Sequence, residues 1–299
     1  MFVVGALAAC TRSPSTQRMS EPTPAGVESG VFPTSWYAGG SDCTGQPQFR
    51  VHRYNDDFFI LRQAACTNFE KPFLYLLFGR ARVLLLDTGA GKVDVVGTVD
   101  RVITEWLARN KRVSIELVVA HSHAHGDHVA GDPQFVGRPS TTVVGRDTAS
   151  VRAFFGVLRW PDDVAQYDLG DRVLDVIPIP GHQASSIALY DRRTAILLTG
   201  DTFYPGRLYV RDSSAFAASI HRLVEFTRDL PVKYMLGTHI ENTRTPFVDY
   251  LEGTVDQPDE HVLELNRAQL IELDSAVQEM RGKMVRKVMR DFTIWPVSP

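Results

Sequence analysis

The chain has 299 residues, of which 44% are hydrophobic, 22% charged and 10% aromatic. This composition is typical of a globular protein with one large core. The formal net charge of −3 lacks the basic excess that binding to a phosphate backbone requires, so we expect no nucleic acid partner. No stretch approaches the roughly 20 apolar residues that a membrane-spanning helix needs.

The first 30 residues predict an export signal followed by a tether. An apolar run ends at residues 7–10, Leu-Ala-Ala-Cys, which resembles the lipobox of bacterial lipoproteins, where the cysteine is lipidated after cleavage. No Lys or Arg precedes the run, unlike an ordinary secretory signal, so a chance cysteine in an apolar terminus is the alternative. Residues 11–30 are rich in Ser, Thr, Pro and Gly, which suits a disordered tether.

We therefore expect residues 1–30 to be a lipoprotein-type signal and tether, and residues 31–299 to be the folded domain. The expected location is periplasmic, with a membrane tether through lipidated Cys10, and the alternative is cytoplasmic. Cys43 and Cys66 remain as an even pair. In an oxidising compartment they could close a loop of about 23 residues, worth roughly 3 kcal/mol; in the cytosol they would be free thiols.

Short β-type runs come first and then alternate with amphipathic segments. We predict strands at 49–54, 58–62, 73–78, 82–87, 115–120, 141–144, 172–179, 187–190, 195–198, 233–236 and 260–265, and helices at 93–109, 213–228 and 267–281. Residues 83–86 are continuously apolar, which indicates a strand buried on both faces. No repeat of 20 to 50 residues is visible, which excludes solenoids and propellers. The order of elements predicts an α/β protein.

Residues suited to metal binding are concentrated directly after the strand predicted at 115–120. Residues 121–128 contain four histidines and one aspartate, a density that a solvated surface does not require. Imidazole nitrogen and carboxylate oxygen are the usual ligands of zinc. Residues 123–128 read His-x-His-x-Asp-His on one loop, so several donors can converge on one ion.

This motif resembles the signature of the metallo-β-lactamase superfamily. Three later segments match the family's remaining ligand positions in order: Pro180-Gly181-His182, Gly200-Asp201-Thr202 and Gly237-Thr238-His239. Residues 86–89, Leu-Asp-Thr-Gly, resemble the family's first loop. The resemblance runs from about residue 73 to 239 and implies a four-layer αβ/βα sandwich with the metals at one edge of two sheets.

The resemblance also implies two zinc ions per chain, with iron or manganese as alternatives. One ion would bind His123, His125 and His182, the other Asp127, His128 and His239, and Asp201 would bridge them. His121 lies outside the matched positions and is either a supporting or a neutral residue. Two such ions share a hydroxide at neutral pH, because coordination lowers the pKa of water, and this hydroxide would be the nucleophile. Asp127 would orient it.

Departures from particular branches narrow the expected chemistry. True zinc β-lactamases generally lack a bridging aspartate, so Asp201 favours resemblance to lactonases, thioesterases and glyoxalase II. His125 stands where flavin-linked diiron members carry a glutamate, which favours zinc. Tyr204 occupies the place of a lactonase phenol that hydrogen-bonds the substrate carbonyl; a tyrosine at a loop edge is the alternative. Phe154, Phe155, Leu158 and Trp160 would line a pocket or pack in the core.

We expect hydrolysis of an ester-like bond, a lactone, ester or thioester, in a small-molecule substrate. Only about 60 residues with one clear helix follow His239, unlike the helical substrate domain of glutathione thioesterases. The alternatives are an iron-dependent oxidoreductase on the same scaffold, such as a persulfide dioxygenase, β-lactam hydrolysis as a side activity, and a binding protein that lost turnover. The sequence does not predict an oligomeric state.

Overall fold

The computed structural model describes residues 26–37, 40 and 42–297. Cys10 and the predicted signal lie outside these residues. None of the helices described is both long and apolar enough to span a bilayer. The described part of the predicted tether already contacts the domain, because the Glu28 amide donates to the Arg193 carbonyl at 2.8 Å and its carboxylate pairs with Arg193 Nε at 2.7 Å. The folded region therefore begins a few residues before the expected boundary at residue 31.

The first six-stranded sheet takes its strands in chain order. They are β1 (Phe49–Asn55), β2 (Phe58–Gln63), β3 (Phe73–Phe78), β4 (Arg82–Leu86), β5 (Glu116–Ala120) and β6 (Thr141–Val143). Strands β1 to β4 pair antiparallel, whereas β4, β5 and β6 pair parallel. Helix α1 (Val95–Arg109) makes the connection from β4 to β5. A one-turn helix, α2 (Gly126–Val129), and α3 (Thr148–Phe155) follow β5 and β6 respectively.

The second six-stranded sheet has the order β13-β12-β10-β9-β8-β7. Its strands are β7 (Ala165–Asp168), β8 (Val173–Pro178), β9 (Ile187–Asp191), β10 (Ile196–Gly200), β12 (Tyr234–Gly237) and β13 (Glu264–Leu265). A small third sheet contains β11 (Arg207–Val210), β14 (Lys287–Val288) and β15 (Thr293–Pro296). Helices α4 (Ser213–Phe226) and α5 (Arg267–Glu279) contact each other.

Alternating side chains of the buried strands divide the core into layers. On β4, Leu84 and Leu86 belong to the cluster shared by the two large sheets, whereas Val83 and Leu85 face a cluster that includes Trp106 of α1. Side chains of α4 and α5 pack in a third cluster against the outer face of the second sheet. Because side chains alternate between the faces of a strand, both faces of β4 are buried. The layers are helix, sheet, sheet and helix, which confirms the predicted four-layer sandwich.

Local sequence explains where the helices begin. Asp94 caps α1 by accepting from the Gly97 amide at 2.8 Å, and the capping box of α5 joins Asn266 to Gln269. Side-chain caps of this kind satisfy amides that have no partner in the first helical turn. Helix α1 buries Val95, Val99, Val102 and Trp106, the stripe expected from its spacing.

Of the two alternatives for Cys43 and Cys66, a disulfide or free thiols, the structure shows the disulfide. Cys43 and Cys66 are bonded with their Cα atoms 5.5 Å apart. Cys66 lies in the loop of residues 64–72 between β2 and β3, so the bond ties this loop to the segment before β1. The loop reaches the candidate metal centre.

Candidate metal centre

The seven predicted ligands gather at one edge of the two large sheets. His123, His125, Asp127 and His128 lie on the loop and short helix after β5, His182 follows β8, Asp201 follows β10 and His239 follows β12. Strands β8, β10 and β12 run in the same direction, so their carboxyl ends meet at this edge. Four chain segments that are distant in sequence thereby place their donors together.

The first group consists of His123, His125, His182 and Asp201. His125 Nδ1 lies 2.9 Å from His123 Nε2 and 2.9 Å from His182 Nε2. Asp201 Oδ2 lies 3.6 Å from His123 Nε2 and 3.6 Å from His182 Nε2. Four ligands arranged tetrahedrally around zinc, each at 2.0–2.1 Å, are about 3.3 Å apart. These separations therefore fit the ligand shell of one ion.

The second group consists of Asp127, His128, Asp201 and His239. Asp127 Oδ2 lies 3.0 Å from His128 Nε2 and 3.3 Å from His239 Nε2. The two histidine Nε2 atoms are 3.3 Å apart. Asp201 reaches both, with Oδ2 3.4 Å from His128 Nε2 and Oδ1 3.3 Å from His239 Nε2. This second set of donors also has the spacing of one ligand shell.

Asp201 is the residue that the two groups share. Its Oδ2 is within 3.6 Å of ring nitrogens from both groups, and Thr238 donates a hydrogen bond to its Oδ1. Nitrogen and carboxylate oxygen donors in this arrangement fit zinc, and imidazole also suits iron. The arrangement thus matches the bridging position that the resemblance implies for Asp201.

The outer ring nitrogens are held by different partners in the two groups. His182 Nδ1 donates to the Tyr209 carbonyl at 2.8 Å, and His123 Nδ1 lies 3.1 Å from Ser122 Oγ. In the second group, His239 Nδ1 donates to the Glu70 carbonyl at 2.9 Å, while His128 Nδ1 lies 3.0 Å from Asp87 Oδ2. Such contacts fix the ring orientation and leave the other nitrogen free for a metal.

Asp87 is a positioning residue that the sequence did not single out. It is fully buried and adopts a positive φ of 70°. Besides His128, its carboxylate accepts from the Ser122 amide at 2.7 Å and from Ser122 Oγ at 2.8 Å. The only sequence signal was the likeness of residues 86–89 to the family's first loop, which does not reveal the contact with His128.

Burial and nearby charges separate the pKa values of the ligands. Burial, together with His182, lowers the pKa of His125 to about 4, and burial also lowers the pKa of His123 and of His182. Burial opposes the charged form of His239 as well, but the carboxylates of Asp201 and Asp127 outweigh it and raise its pKa to about 9. The same carboxylates outweigh burial at His128 and raise its pKa well above the usual value. Without bound metal, the first group therefore consists of neutral imidazoles at pH 7, whereas the histidines of the second group favour the protonated form.

His121 belongs to neither group. Its Nε2 lies 2.8 Å from Asp132 Oδ1, and Asp132 also accepts from Thr88 Oγ1 at 2.8 Å. All three side chains are buried. This network packs behind the ligand loop, so His121 supports the loop.

Tyr204, the candidate for a substrate-binding phenol, is buried beside the second ligand group. It is 1% exposed, and its hydroxyl donates to the Arg207 carbonyl and lies 3.2 Å from Glu241 Oε2. Its ring packs against His239 with centroids 5.6 Å apart. The hydroxyl already has protein partners, so binding a substrate carbonyl would require it to exchange them.

The aromatic residues after the ligand loop pack mainly away from the donors. Phe154 and Phe155 contact Tyr167 of β7, with ring centroids 5.3 and 5.4 Å apart. Phe155 belongs to the core between the sheets, and Trp160 packs against the same core. Leu158 is 76% exposed. For Phe154, Phe155 and Trp160, the core-packing alternative is therefore the correct one.

Comparison with known proteins agrees with the fold and the ligand groups. The family model described as the metallo-beta-lactamase superfamily matches residues 70–239, more than half of the chain. The chain therefore belongs to the metallo-β-lactamase superfamily. Its membership and its two ligand groups make it an enzyme of the metal-dependent hydrolase class.

Two relatives illustrate the range of similarity within the superfamily. An acyl-coenzyme A thioesterase, MBLAC2 of Bos taurus, is 25% identical over 61% of this chain and 78% of its own length. A hydroxyacylglutathione hydrolase of Pseudomonas fluorescens is 28% identical over 50% of this chain. The match spans only 58% of that hydrolase.

Solved structures support the fold alone. The metallo-beta-lactamase from Pontibacter korlensis superposes with a TM-score of 0.52 at 17% identity, covering 77% of this chain and 99% of its own. The solved structure of TMB-1 superposes with a TM-score of 0.52 at 12% identity, covering 79% of this chain and 99% of its own.

Proposed function

We propose that the chain is a dizinc hydrolase that cleaves an ester-like bond, a lactone, ester or thioester, in a small molecule. The observation that carries this proposal is the shared carboxylate of Asp201, whose Oδ2 lies within 3.6 Å of ring nitrogens of both ligand groups. Zinc bound there lowers the pKa of a coordinated water and polarises a carbonyl oxygen. A site of this kind needs no serine or cysteine nucleophile.

The protein's own residues supply orientation and proton handling. Asp127 has 21% of its side chain exposed, against 8% for Asp201, so its carboxylate is the more accessible of the two. Burial opposes its charge, but His128 and His239 outweigh it and hold the pKa of Asp127 far below its usual range. Asp127 is therefore a carboxylate at pH 7, able to accept a hydrogen bond from the attacking water and to orient it.

Two further facts support an ester-like substrate. The relatives above are named as an acyl-coenzyme A thioesterase and a hydroxyacylglutathione hydrolase, and a thioester is within the proposed class. Asp201, which both ligand groups share, also stands where the resemblance implies the bridging aspartate of the lactonase and thioesterase branches. The β-lactamase likeness, at under 20% identity, bears on the fold and does not favour a β-lactam substrate.

The test is proton release by the zinc-loaded protein offered a lactone, a thioester, a phosphodiester and a β-lactam under identical conditions. We expect turnover on the lactone or the thioester, its loss after chelation and its return when zinc is restored. No turnover on either by a protein that holds two zinc ions per chain would contradict the proposal. Oxygen uptake by the iron-loaded protein would support the iron-dependent oxidoreductase instead.

We also propose that the protein works in an oxidising compartment, the periplasm or the outer side of a bacterial membrane. The bond between Cys43 and Cys66 supports this, since structural disulfides persist mainly where thiols are not kept reduced. Fractionation of cells that express the full chain and a Cys10→Ala variant tests it. The wild type should partition with membranes and the variant should not.

A further inference from the structure

A cavity of about 110 Å³ lies beside the second ligand group. Its walls come from the loop of residues 64–72, from β11 and from the segment 241–257. The loop joins the cavity to the metal centre, because Glu70 lines it and the Glu70 carbonyl accepts from His239 Nδ1 at 2.9 Å. The volume is well below the roughly 300–1,000 Å³ of pockets for drug-sized ligands, so it suits the end of a substrate.

Lys71 brings an unpaired positive charge to this cavity. The residue is 5% exposed and lines the cavity. Across residues 26–37, 40 and 42–297, no carboxylate forms an ion pair with its ammonium and no acceptor hydrogen-bonds it. Burial, followed by the Arg62 guanidinium, lowers the pKa of Lys71 to about 8, so it is mostly an ammonium at pH 7. Glu260, Glu241 and Glu70 attract this ammonium from beyond ion-pairing distance, and an anionic group bound in the cavity would give it the direct partner that it lacks among the described residues.

Two acceptors in the same cavity also lack partners. Gln257 is 4% exposed, and its Nε2 donates to the Thr254 carbonyl at 2.9 Å while its buried Oε1 has no hydrogen bond among the described residues. The Glu70 carboxylate lines the cavity and forms no ion pair with any described cation. A donor that carries positive charge would satisfy both.

The remaining charged pair of the cavity is already satisfied. Arg207 pairs with Asp249 at 2.7 Å and with Glu241 at 3.4 Å, and its amide donates to Glu241 Oε2 at 2.6 Å. These contacts leave Lys71, Glu70, the exposed Glu252 and the Gln257 oxygen as the groups that face an occupant.

We propose that this cavity binds an α-amino acid end of the substrate, with the carboxylate at Lys71 and the ammonium at Glu70 and Gln257 Oε1. A zwitterion places opposite charges a few atoms apart, which matches one cation facing the acceptors Glu70, Glu252 and Gln257 Oε1 around a small cavity. The inference rests on the proposed function, because it assigns to the ester-like substrate a zwitterionic end beside the metal centre. It names a recognition site that the metal ligands do not provide.

Binding is tested with glycine as the probe, titrated into the zinc-loaded full chain and followed by ligand-observed NMR. Lys71→Met should weaken glycine binding by about tenfold or more, because a charge-assisted contact is lost. Lys71→Arg should retain it, and so should Lys92→Met, which removes an exposed lysine outside the cavity. Each variant is checked for folding by its melting temperature.

The same titration contains the results that would overturn the inference. Glycine can also chelate zinc, and binding at the metals would be as tight in Lys71→Met as in the wild type. That result would show that glycine binds at the metals and not in the cavity. Acetate, which has the carboxylate alone, and methylamine, which has the ammonium alone, should both bind more weakly than glycine. Equal binding of acetate would contradict the zwitterionic part of the inference.

A kinetic comparison separates this inference from the proposed function. Two thioesters are compared, one with a free α-amino acid end and one with the same amine acetylated. The wild type should show a KM about tenfold lower for the free form with a similar kcat, and Lys71→Met should lose that preference. Turnover with equal KM values would overturn the inference alone. Absence of any turnover would overturn the proposed hydrolase, while glycine binding would still report on the cavity.

Discussion

The two ligand groups use the same side-chain types but differ in their surroundings. In the first group, His123 and His182 are held by a hydroxyl and a carbonyl oxygen, both uncharged. In the second group, His128 lies between Asp87 and Asp127, at 3.0 Å from each. A carboxylate behind a metal-binding histidine raises the basicity of the ring. The comparison indicates that neutral imidazoles define the first group and that negative charge dominates the second.

This difference has a cost as well as a benefit for metal binding. Carboxylates attract a dication, but they attract protons to the same histidines, and a metal has to displace those protons. The pKa values show both effects, since His125 falls to about 4 and His239 rises to about 9. The second group should therefore bind metal in a more pH-dependent way. Substitutions of Asp201, which both groups share, of Asp87 behind His128 and of Tyr204 beside His239 can test the comparison.

The largest effect is expected from Asp201→Asn, which changes the residue shared by both groups. The variant should stay folded but lose activity by roughly 10²–10³-fold, the scale seen when one preorganised electrostatic group is removed. It should also hold less than two zinc ions per chain. Turnover and metal content by mass spectrometry measure this. Wild-type turnover in the variant would contradict the bridging role.

Asp87→Asn should damage the second group selectively. Removing the charge behind His128 is expected to lower the affinity of the second group for zinc by about 10–100-fold, the usual effect of altering a residue that holds a metal ligand. The affinity of the first group should not change. Competition with a chromogenic chelator resolves the two affinities. Asp132→Asn is the matched control, because Asp132 is equally buried but supports His121, which joins neither group. Equal weakening by both variants would mean that the effect is structural.

Lowering the pH should release zinc from the second group before the first. In the metal-free second group, nearby carboxylates raise the pKa of His239 to about 9 and that of His128 well above its usual value. Zinc therefore displaces protons there at pH 7, and affinity should fall at least about tenfold per pH unit below 9. His125, whose pKa is about 4, stays unprotonated over most of this range. Zinc titrations at pH 6, 7 and 8 measure the two slopes. Equal slopes would show that the charge difference between the groups does not govern binding.

The sequence predicted the central layers and the ligands because both follow from local patterns. The continuously apolar residues 83–86 became a strand buried on both faces, and the His-x-His-x-Asp-His motif placed four donors on one loop. Strands β7, β11, β14 and β15 and helices α2 and α3 were missed. Each of these strands has two to four residues, too few for an alternation to be recognised. Their pairing depends on partners distant in sequence.

The outer partners of the ligands were not predictable for a related reason. Glu70 holds His239 through its backbone carbonyl, and any residue at position 70 would supply that atom. Asp87 depends on a positive φ to reach His128 and Ser122. Such contacts are set by the path of the backbone, which residue types alone do not specify.

Tyr204→Phe should have the smallest effect on activity. It decides whether the Tyr204 hydroxyl has a structural role or binds the substrate carbonyl. The buried hydroxyl donates to the Arg207 carbonyl, so its removal should cost about 1–2 kcal/mol of stability by leaving an acceptor unpaired. The ring would remain against His239, and kcat should change little. Chemical denaturation and steady-state kinetics measure the two quantities. A large loss of kcat with unchanged stability would instead restore the substrate-binding role, and would require the hydroxyl to exchange its protein partners for the substrate during turnover.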